Sequence, residues 1–558
     1  MVSSKIGFVL FLVALVIVAA LPVTAQSFRV QCPTSTITHP DPGNAGVNNV
    51  EPTYTGPTPL AVGAQGYMVP AGKVNGAIKC QQISGGDGYA TMADGQQIFM
   101  FSFGPLSGLV DIANGQPGTE FPNVFNDVFP SLDLGVNPAT LTPGDPATTE
   151  DASGTHSFTF NGAVGLQPDL DSPLGPNTID GHVDPAQIMN IGVMNGNIPA
   201  PLMAFDEDDE FFLTLTNVGM IMRPDLFEQH TVHFHGYPNA SSFYDGVPDA
   251  SVAINIGGSF TYYYLAPDAG TYFWHCHITP PEHLQMGMVG QIYVRPRQNR
   301  VPAGGNLYSS LLLQETDLRT ACRRPSDGAT PTVGYIPDIL CSNPAPAVNN
   351  SATRVATGTM CNGSELAGDA PKYAYNDGDG STCYDVEYPI QIHGFDPNFH
   401  FVGMTFNPEG FVDMKDKYFL LNGRSYPDTV TPGPMQTESS DGRSHFSQPL
   451  PSVINMTQGQ KALLRISDLD VQEMQTLASL GIRMHVIGYN AKLLRDQAGN
   501  NMDYYTNSIT LGGGESLDVI LDSTNVPKGT YYLYTPQLDH LSNDAENFGG
   551  LMTEVHVN

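Results

Sequence analysis

Residues 273–288 read FWHCHITPPEHLQMGM and hold three histidines, one cysteine and two methionines, although the chain of 558 residues has only 15 histidines and 7 cysteines. Burying an imidazole without a partner costs free energy, so a core that only needed to pack would not concentrate such residues. A second segment, HTVHFHG at 230–236, carries three further histidines. Together the two segments predict a metal centre.

Strand geometry divides these residues between two sites. If each segment is a strand, successive side chains point to opposite faces. Cys276 then faces away from the histidines on either side of it, and His230 faces away from His233 and His235. The alternation gives two candidate ligand sets, which are Cys276, His230, His283 and a methionine in the first, and His233, His235, His275 and His277 in the second.

The ligand types indicate which metal is bound. One thiolate, two imidazoles and one thioether form the ligand list of a blue-copper site, with Cys and His in the trigonal plane and Met as the axial ligand. Zinc sites more often use paired cysteines or a carboxylate, which the first set lacks. Four imidazoles suit copper that reacts with oxygen or another small oxidant. We therefore expect copper at both sites.

At these residues the chain resembles the multicopper oxidases. HTVHFHG is similar to that family's His-x-x-His-x-His-Gly motif, and HCHITPPEHLQMGM to its His-Cys-His-Ile motif followed by His-x-x-x-Gly-Met. The segments MNGNIPAPLMAFDEDDEFFLTLTN (194–217) and YFLLNGRSYPDT (418–429) resemble the opening of the family's first domain and a strand of a later one. The resemblance implies an all-β chain of tandem cupredoxin domains, which are Greek-key β-sandwiches.

The resemblance also implies a role for each candidate ligand. The residues that match the type 1 copper ligands are His230, Cys276, His283 and Met288. Met288 is preferred to Met286 because the family places its axial methionine five residues after the second histidine. The residues that match ligands of the type 2/type 3 copper cluster are His233, His235, His275 and His277. Electrons from an organic or metal-ion donor would enter at Cys276 and pass through its covalent neighbours to oxygen, so the resemblance implies an oxidase.

The chain departs from the family pattern in its second half. Multicopper oxidases build the cluster from eight histidines in four His-x-His pairs, whereas this chain has two such pairs and, further on, isolated His485 and His540. These two histidines, from the same chain or from a neighbouring subunit of a homotrimer, are the candidates to complete the cluster.

The departure leaves two alternatives to an oxidase. One is a type 1 copper electron carrier, or an extracellular structural copper protein, without turnover. The other is an enzyme like the copper nitrite reductases. Those enzymes share a longer ligand loop, but they place an aspartate where His233 stands.

Outside the metal segments the sequence has the character of β structure. Short runs of apolar, β-branched and aromatic residues, such as SSLLLQE at 309–315, are separated by turns in a chain with 58 glycines and 45 prolines. This pattern is typical of sandwiches and barrels. One helix is expected, at 470–481. GTYFWH at 270–275 is echoed by GTYYLY at 529–534, which indicates a duplicated domain.

We expect four parts along the chain. They are a signal peptide at 1–25, an N-terminal extended segment at 26–65, a copper-binding cupredoxin domain at 66–298 with an insertion at about 105–185, and a second cupredoxin-like domain at 304–558 with a disulfide-rich insertion at about 318–385. The signal peptide rests on Lys5, an apolar run and Ala25 at the cleavage position. It predicts a secreted or periplasmic protein with no membrane span after cleavage.

Charge narrows the range of partners. The formal net charge is −32, so nucleic acid and anionic membranes would be repelled, while cationic donors would be attracted. The acidic run DEDDE at 206–210 is expected to be a solvated turn.

Six cysteines remain after Cys276, and in an exported chain they predict three disulfides. We expect sequence neighbours to pair, which gives Cys32 with Cys80, Cys322 with Cys341, and Cys361 with Cys383.

Overall fold

The structure is a computed structural model that describes residues 31–40, 47–125, 194–236, 242–315, 343–405, 410–438 and 444–558, apart from 221, 224, 227 and 267, together with two short strands at 148–150 and 156–158. The elements in these ranges are mostly strands, which confirms the prediction of an all-β chain. None of the described helices is long and apolar enough to cross a bilayer. The expected signal peptide at 1–25 lies outside the described residues.

The first β unit consists of two four-stranded sheets, in the orders β10-β8-β3-β4 and β7-β12-β11-β9. The strands of this part of the chain are β1 (Leu60–Val62), β2 (Met68–Pro70), β3 (Ile78–Thr91), β4 (Gln97–Pro105), β5 (Thr148–Glu150), β6 (His156–Phe158), β7 (Met203–Asp206), β8 (Glu210–Gly219), β9 (His233–Phe234), β10 (Ser259–Leu265), β11 (Gly270–His275) and β12 (Val289–Arg295). Its helices are α1 (Leu109–Ala113), α2 (Pro122–Phe125) and α3 (Pro280–Gln285). The pairs β1–β2 and β5–β6 stand apart from the two sheets.

The second β unit follows α4 (Leu307–Gln314) and includes α5 (Pro397–Met404). The strands of this part of the chain are β13 (Lys372–Tyr373), β14 (Cys383–Tyr384), β15 (Val386–Phe395), β16 (Tyr418–Leu421), β17 (Met435–Glu438), β18 (Ser444–Gln448), β19 (Ile454–Met456), β20 (Lys461–Asp468), β21 (Gln475–Leu480), β22 (Met484–Tyr489), β23 (Lys492–Leu493), β24 (Tyr504–Thr506), β25 (Ser508–Leu511), β26 (Ser516–Asp522), β27 (Gly529–Tyr534), β28 (Ser542–Asn543), β29 (Glu546–Asn547) and β30 (Met552–Val557). One sheet has the order β23-β22-β26-β20-β15-β16-β28-β29, with β24 on β22, and the other has the order β19-β30-β27-β21-β25.

The two units share one strand plan. In the first unit β7 pairs in parallel with β12, and β12 pairs antiparallel with β11. In the second unit β19, β30 and β27 repeat this arrangement. The motif that recurs in the sequence occupies equivalent strands, because it forms β11 in the first unit and β27 in the second. The duplication is therefore visible in the strand pairing as well as in the sequence.

Aromatic side chains fill the core of the first unit. Phe101, Phe103, Tyr262 and Trp274 are fully buried, and they belong to one apolar cluster with Cys276. Burying side chains of this size stabilises the fold by roughly 1.5–3 kcal/mol each. The strand that leads to Cys276 is therefore held by packing on the core side.

Polar contacts hold the same strand on the second unit. Thr271 of β11 donates from Oγ1 to Oδ1 of Asp518 at 2.6 Å, and its carbonyl accepts from Oγ of Ser516 at 2.7 Å. In β12, Nε2 of Gln291 donates to the carbonyl of Arg465 at 2.9 Å. Strands β20 and β26 of the second unit thus contact β11 and β12, which lie on either side of the loop that follows His275.

Two secondary-structure predictions were wrong. The segment 470–481, expected to be helical, contains strand β21, because pairing with β25 and β27 overrides the local helix propensity. The segment 309–315, expected to be a strand, lies in α4. That helix begins after Asn306, whose side chain accepts from the amide of Ser309 at 2.8 Å and so caps the helix.

The acidic run at 206–210 is not a solvated turn, and all five of its side chains are buried. Polar side chains from distant segments lie beside it. Arg297 donates to Asp208 with two hydrogen bonds of 2.7 and 2.8 Å, and Nδ1 of His39 is 2.7 Å from Glu210. The expectation failed because buried carboxylates are tolerated when they are paired, and these partners lie far away in the sequence.

Two of the expected disulfides are confirmed. Cys32 is bonded to Cys80, and Cys361 is bonded to Cys383. Cys276 is free and buried. The third expected pair, Cys322 with Cys341, lies outside the described residues.

Candidate metal centre

Cys276 belongs to a buried group of three metal-ligand residues. Its Sγ is 3.2 Å from Nδ1 of His283 and 3.9 Å from Nδ1 of His230. All three side chains are fully buried, and their ligand atoms lie within 4.8 Å of one another. The amide of Thr231 also donates to Sγ, at 3.4 Å. The structure thus brings together three members of the first predicted ligand set.

Charge in this group favours a thiolate. Burial, the largest influence, would raise the pKa of Cys276, but the charges and hydrogen bonds of His283 and His230 together hold that pKa well below its usual value. Burial, again the largest influence, would lower the pKa of His283, but the charges and hydrogen bonds of Cys276 and Glu228 together raise that pKa to about 9. The carboxylate of Glu228 lies 3.5 Å from Nε2 of the same imidazole. The thiolate is the form of cysteine that binds a metal, and a metal bound here would displace the proton that His283 holds.

The backbone places the three side chains. His230 precedes β9, Cys276 directly follows β11, and His283 lies in α3. The amide of Cys276 donates to the carbonyl of Met288 at 3.2 Å, and the amide of Met288 donates to the carbonyl of His283 at 2.9 Å. A Cβ added to Gly85 of β3 would lie 2.5 Å from Cδ2 of His230, so glycine is needed there to leave room for the imidazole.

Both methionines of the segment 273–288, Met286 and Met288, are fully buried in the same apolar cluster as Cys276. They differ in their surroundings. A Cβ added to Gly403 of α5 would lie 3.4 Å from Sδ of Met286, so Met286 lies against the second unit. Met288 is the residue whose backbone bonds to the loop of the other ligands. The choice of Met288 as the axial ligand stays a prediction.

The histidines of the second set form a group of their own. Nε2 of His235 is 2.9 Å from Nε2 of His275, and the ligand atoms of His233, His235 and His275 lie within 4.8 Å of one another. The ring of His277 is 4.9 Å from the ring of His233 between centroids. The structure thus brings all four predicted histidines together.

Strand register explains this grouping. His233 of β9 lies directly opposite His275 of β11 in an antiparallel pair. Backbone carbonyls orient both rings, because Nδ1 of His233 is 2.6 Å from the oxygen of Asp245 and Nδ1 of His275 is 2.7 Å from the oxygen of Cys276. A carbonyl acceptor keeps the proton on Nδ1 and leaves Nε2 available as a metal ligand.

Burial favours the neutral form of three of these imidazoles, His233, His235 and His275. Burial lowers the pKa of His275 to about 3, and burial together with the neighbouring His233 lowers the pKa of His235 to about 4. Burial also lowers the pKa of His233. Neutral imidazole is the form that binds a metal ion, so burial keeps these three residues in their metal-binding form.

His485 and His540 have other neighbours. Nδ1 of His540 is 2.8 Å from Oε1 of Gln475, and its Nε2 is 3.1 Å from Oε2 of Glu473. Nε2 of His485 lies 2.9 Å from a carboxylate oxygen of Asp503. Within the described ranges, neither histidine belongs to a group of residues that could hold a metal ion. Their part in a cluster shared between subunits stays a prediction.

Sequence reasoning missed the residues that surround the ligands. Glu228 lies beside His283, and the carbonyl of Asp245 orients His233. Gln285 lies inside the segment 273–288. Because a carboxamide is not a usual copper ligand, its residue type did not indicate a role in the site. These residues act through contacts between distant segments, which the spacing of one motif does not reveal.

Two family models described as multicopper oxidase match the chain, at residues 178–299 and 407–553. The first match contains every member of both ligand groups. The chain belongs to the multicopper oxidase family. The prediction of tandem cupredoxin domains is confirmed with it.

Several known proteins are similar to parts of this multicopper oxidase. Multicopper oxidase MCE of Talaromyces pinophilus is 31% identical over 134 residues, which are 24% of this chain and 21% of that protein. Laccase abr2 of Aspergillus fumigatus is 34% identical over 109 residues, which are 19% of this chain and 17% of that protein. The matches thus span about a fifth of the length of these curated relatives. Among solved structures, the blue copper oxidase of Nitrosomonas europaea is 19% identical, covers 65% of this chain and 78% of that chain, and has a TM-score of 0.40.

Proposed function

We propose that this multicopper oxidase takes single electrons from an organic or metal-ion donor at the Cys276 site and uses them to reduce oxygen to water at the histidine group. The observation that carries the proposal is that Cys276 and its neighbours His275 and His277 belong to different ligand groups although they are consecutive residues. Copper would supply a one-electron acceptor at the first group and an oxygen-reducing centre at the second.

The donor atoms of the first group fit copper. A thiolate and two imidazole Nδ1 atoms converge in a fully buried pocket. Soft thiolate ligands favour copper over hard cations such as calcium or magnesium. The residues that would hold this copper are His230, Cys276, His283 and Met288.

The second group fits copper through its imidazoles. His275 donates from Nδ1 to a carbonyl, so its Nε2 carries a lone pair directed at His235. His233 is oriented in the same way by Asp245. The residues that would hold copper here, and that we propose as the catalytic residues, are His233, His235, His275 and His277.

The surroundings of His283 favour a cationic donor. Glu228 is partly exposed and lies 3.5 Å from the buried imidazole, so it connects that ligand to the surface. Its carboxylate would attract a reduced metal ion or an organic cation, and the net charge of −32 would raise the encounter rate.

Export and assembly complete the proposal. The expected signal peptide and the two disulfides are consistent with a secreted or periplasmic protein. We propose a homotrimer in which the second unit of one subunit completes the histidine group of the next. His485 is the better candidate ligand of the two, because a carboxylate beside one ring nitrogen is the usual arrangement for a metal-binding histidine. His540 has both ring nitrogens engaged.

Copper content and oxygen uptake test the proposal. The loaded wild type should hold well above one copper per chain and consume oxygen with a donor such as ferrous ion or an aromatic amine. His233→Ala and His275→Ala should abolish oxygen uptake and keep most of the blue absorbance. His556→Ala, in β30, is the matched control and should keep both. One copper per chain together with no oxygen uptake would overturn the proposal.

A second candidate function is an electron carrier or an extracellular structural copper protein. It is favoured by the contacts of His540, whose ring nitrogens are both engaged within the second unit. The same experiment separates the two functions, because a carrier would show the blue absorbance of one copper and no turnover with oxygen. Nitrite offered as the oxidant to the reduced protein tests the remaining alternative, a nitrite reductase.

A further inference from the structure

Gln285 joins the ligand loop of the first unit to the second unit. It is the last residue of α3, two residues after His283, and its side chain is fully buried. The carboxamide uses both of its ends. Nε2 donates to Oδ1 of Asp416 at 2.9 Å, and Oε1 accepts from the amide of Asp396 at 2.8 Å. Both partners belong to the segment between β15 and β16.

The backbone of Gln285 is held as well. Nε2 of His400, in α5, lies 2.9 Å from the carbonyl oxygen of Gln285, and Nδ1 of the same ring lies 2.5 Å from the carbonyl oxygen of Phe99 in β4. His400 is fully buried. The imidazole therefore lies between the ligand loop and a core strand of the first unit, and because burial lowers its pKa to about 4 the neutral ring donates to one of the two carbonyls.

The helix that makes these contacts is itself fixed at both ends. Asp396 caps the first turn of α5 by accepting from two of its amides, at 2.8 and 3.3 Å. Beyond the last turn, Arg223 donates to the carbonyl of Thr405 at 2.7 Å. Arg223 precedes His230 in the chain, and Gln285 follows His283. Helix α5 therefore contacts the chain near both histidine ligands of the Cys276 site.

The acceptor of the Gln285 carboxamide lies in a cramped position. A Cβ added to Gly394 of β15 would lie 2.2 Å from Oδ2 of Asp416 and 2.9 Å from Oδ2 of Asp470. Glycine at this point of the strand therefore gives Asp416 the room to face Gln285. The contact between Asp416 and Gln285 therefore depends on the backbone of the second unit at Gly394, and not on a freely mobile side chain.

We infer that Gln285 is a positioning residue of the Cys276 site, which holds the His283 loop on Asp396, Asp416 and His400 and thereby lets the second unit fix the place of His283 beside Cys276. The copper in this inference rests on the proposed function. The anchoring of the loop does not, because every contact named here is made by the chain alone. The two can therefore be tested separately.

The copper-free protein tests the anchoring. Gln285→Met keeps the side-chain volume and removes both carboxamide bonds, so the loop over Cys276 should open more often. In this variant we expect iodoacetamide to modify Cys276 at least tenfold faster than in the wild type. Mass spectrometry of the Cys276 peptide measures the rate. Gln291→Met is the matched control, because Gln291 is equally buried and also bonds to the second unit, but from β12. Equal rates in the wild type and Gln285→Met, or equal acceleration in both variants, would overturn the inference.

The copper-loaded protein tests the consequence for the site. With its loop released, His283 should bind Cu(II) less firmly, so the ratio of Cu(I) to Cu(II) at a fixed potential should rise at least tenfold in Gln285→Met. For a one-electron couple this is a shift of about 59 mV. The control Gln291→Met should keep the wild-type potential. An unchanged potential in Gln285→Met would overturn the inference.

Variants of Asp416, which accepts the hydrogen bond from Gln285, give an independent test. Asp416→Asn keeps an oxygen that can accept from Gln285 and should behave as the wild type does in both measurements. Asp416→Leu removes the acceptor and should reproduce Gln285→Met, and wild-type behaviour of this variant would contradict the anchoring. A wild type without any Cys276-dependent blue colour would refute the proposed copper site and leave the thiol-modification result standing.

Discussion

Tyr534 occupies in the second unit the position that His275 occupies in the first. In the first unit His275 of β11 lies opposite His233 of β9, and in the second unit Tyr534 of β27 lies opposite Ala478 of β21. The next strand keeps the same register, because β11 pairs with β12 as β27 pairs with β30. The duplicated sheet is thus preserved, while a tyrosine and an alanine stand where the first unit has the two histidines that we propose as copper ligands.

Cys276→Ser should remove the blue colour of the copper-loaded protein. The colour would come from charge transfer between the thiolate and Cu(II), and a serine hydroxyl is a poor donor to this site. The visible spectrum recorded after copper loading measures the effect. The control Ser310→Ala, in α4, should leave the spectrum as it is. A variant spectrum equal to that of the wild type would refute the type 1 assignment.

Met288→Leu should keep the blue colour and raise the reduction potential, because losing a thioether ligand disfavours Cu(II). Met286→Leu is the matched control, since Met286 is equally buried and its sulfur lies against α5. A redox titration followed by visible absorbance measures both. A shift in Met286→Leu alone would assign the axial position to Met286.

In the proposed homotrimer, His485→Ala should lower the copper content and the oxygen uptake, while the blue absorbance stays. We expect this effect because one ring nitrogen of His485, Nε2, lies beside the carboxylate of Asp503, as in a metal-binding histidine. His540→Ala should leave the copper content unchanged, because both nitrogens of His540 are engaged within the chain. Copper analysis of the protein at its native mass checks both variants. Unchanged copper in His485→Ala would leave that histidine without a role in the cluster.

The local part of the candidate site could be predicted from the sequence. Ligand type and spacing are properties of two short segments, and strand alternation grouped their residues although β9 spans only His233–Phe234. The helix expected at 470–481 shows the limit of such local patterns. Its residues form β21, the counterpart of β9, and the pairing with β27 that decides this comes from a strand about 50 residues later.

The contacts between segments could not be predicted. The carboxylates at 206–210 looked solvated because Arg297 and His39, which contact Asp208 and Glu210, are distant in the sequence. Gln285 looked like a linker between ligands because Asp396 and Asp416 lie in the other unit. Each of these interactions depends on tertiary packing, which no hydrophobic period and no short motif in the sequence reveals.

Asp416 should make the stability of the fold depend on pH. Burial raises the pKa of Asp416 well above its usual value, and the neighbouring Asp470 raises it further. Unfolding returns that pKa to about 3.9, so at higher pH the folded state keeps a proton that the unfolded state has lost. The free energy of unfolding therefore contains a contribution that is complete at low pH and is lost as the pH rises through the folded pKa, by up to roughly 1.4 kcal/mol per pH unit.

Asp416→Asn isolates this contribution, because a neutral carboxamide replaces the protonated acid and does not titrate. Buried histidines such as His235 and His275, whose pKa values are lowered to about 4 and about 3, give a slope of the opposite sign below about pH 6.5. They are shared by both proteins and cancel in the comparison. The free energy of unfolding of the variant relative to the wild type should therefore increase from pH 5 to pH 8 in guanidinium titrations. Glu546→Gln, exposed in β29, should show no such trend. A difference for Asp416→Asn that stays constant or falls with pH would mean that Asp416 is already ionised in the fold.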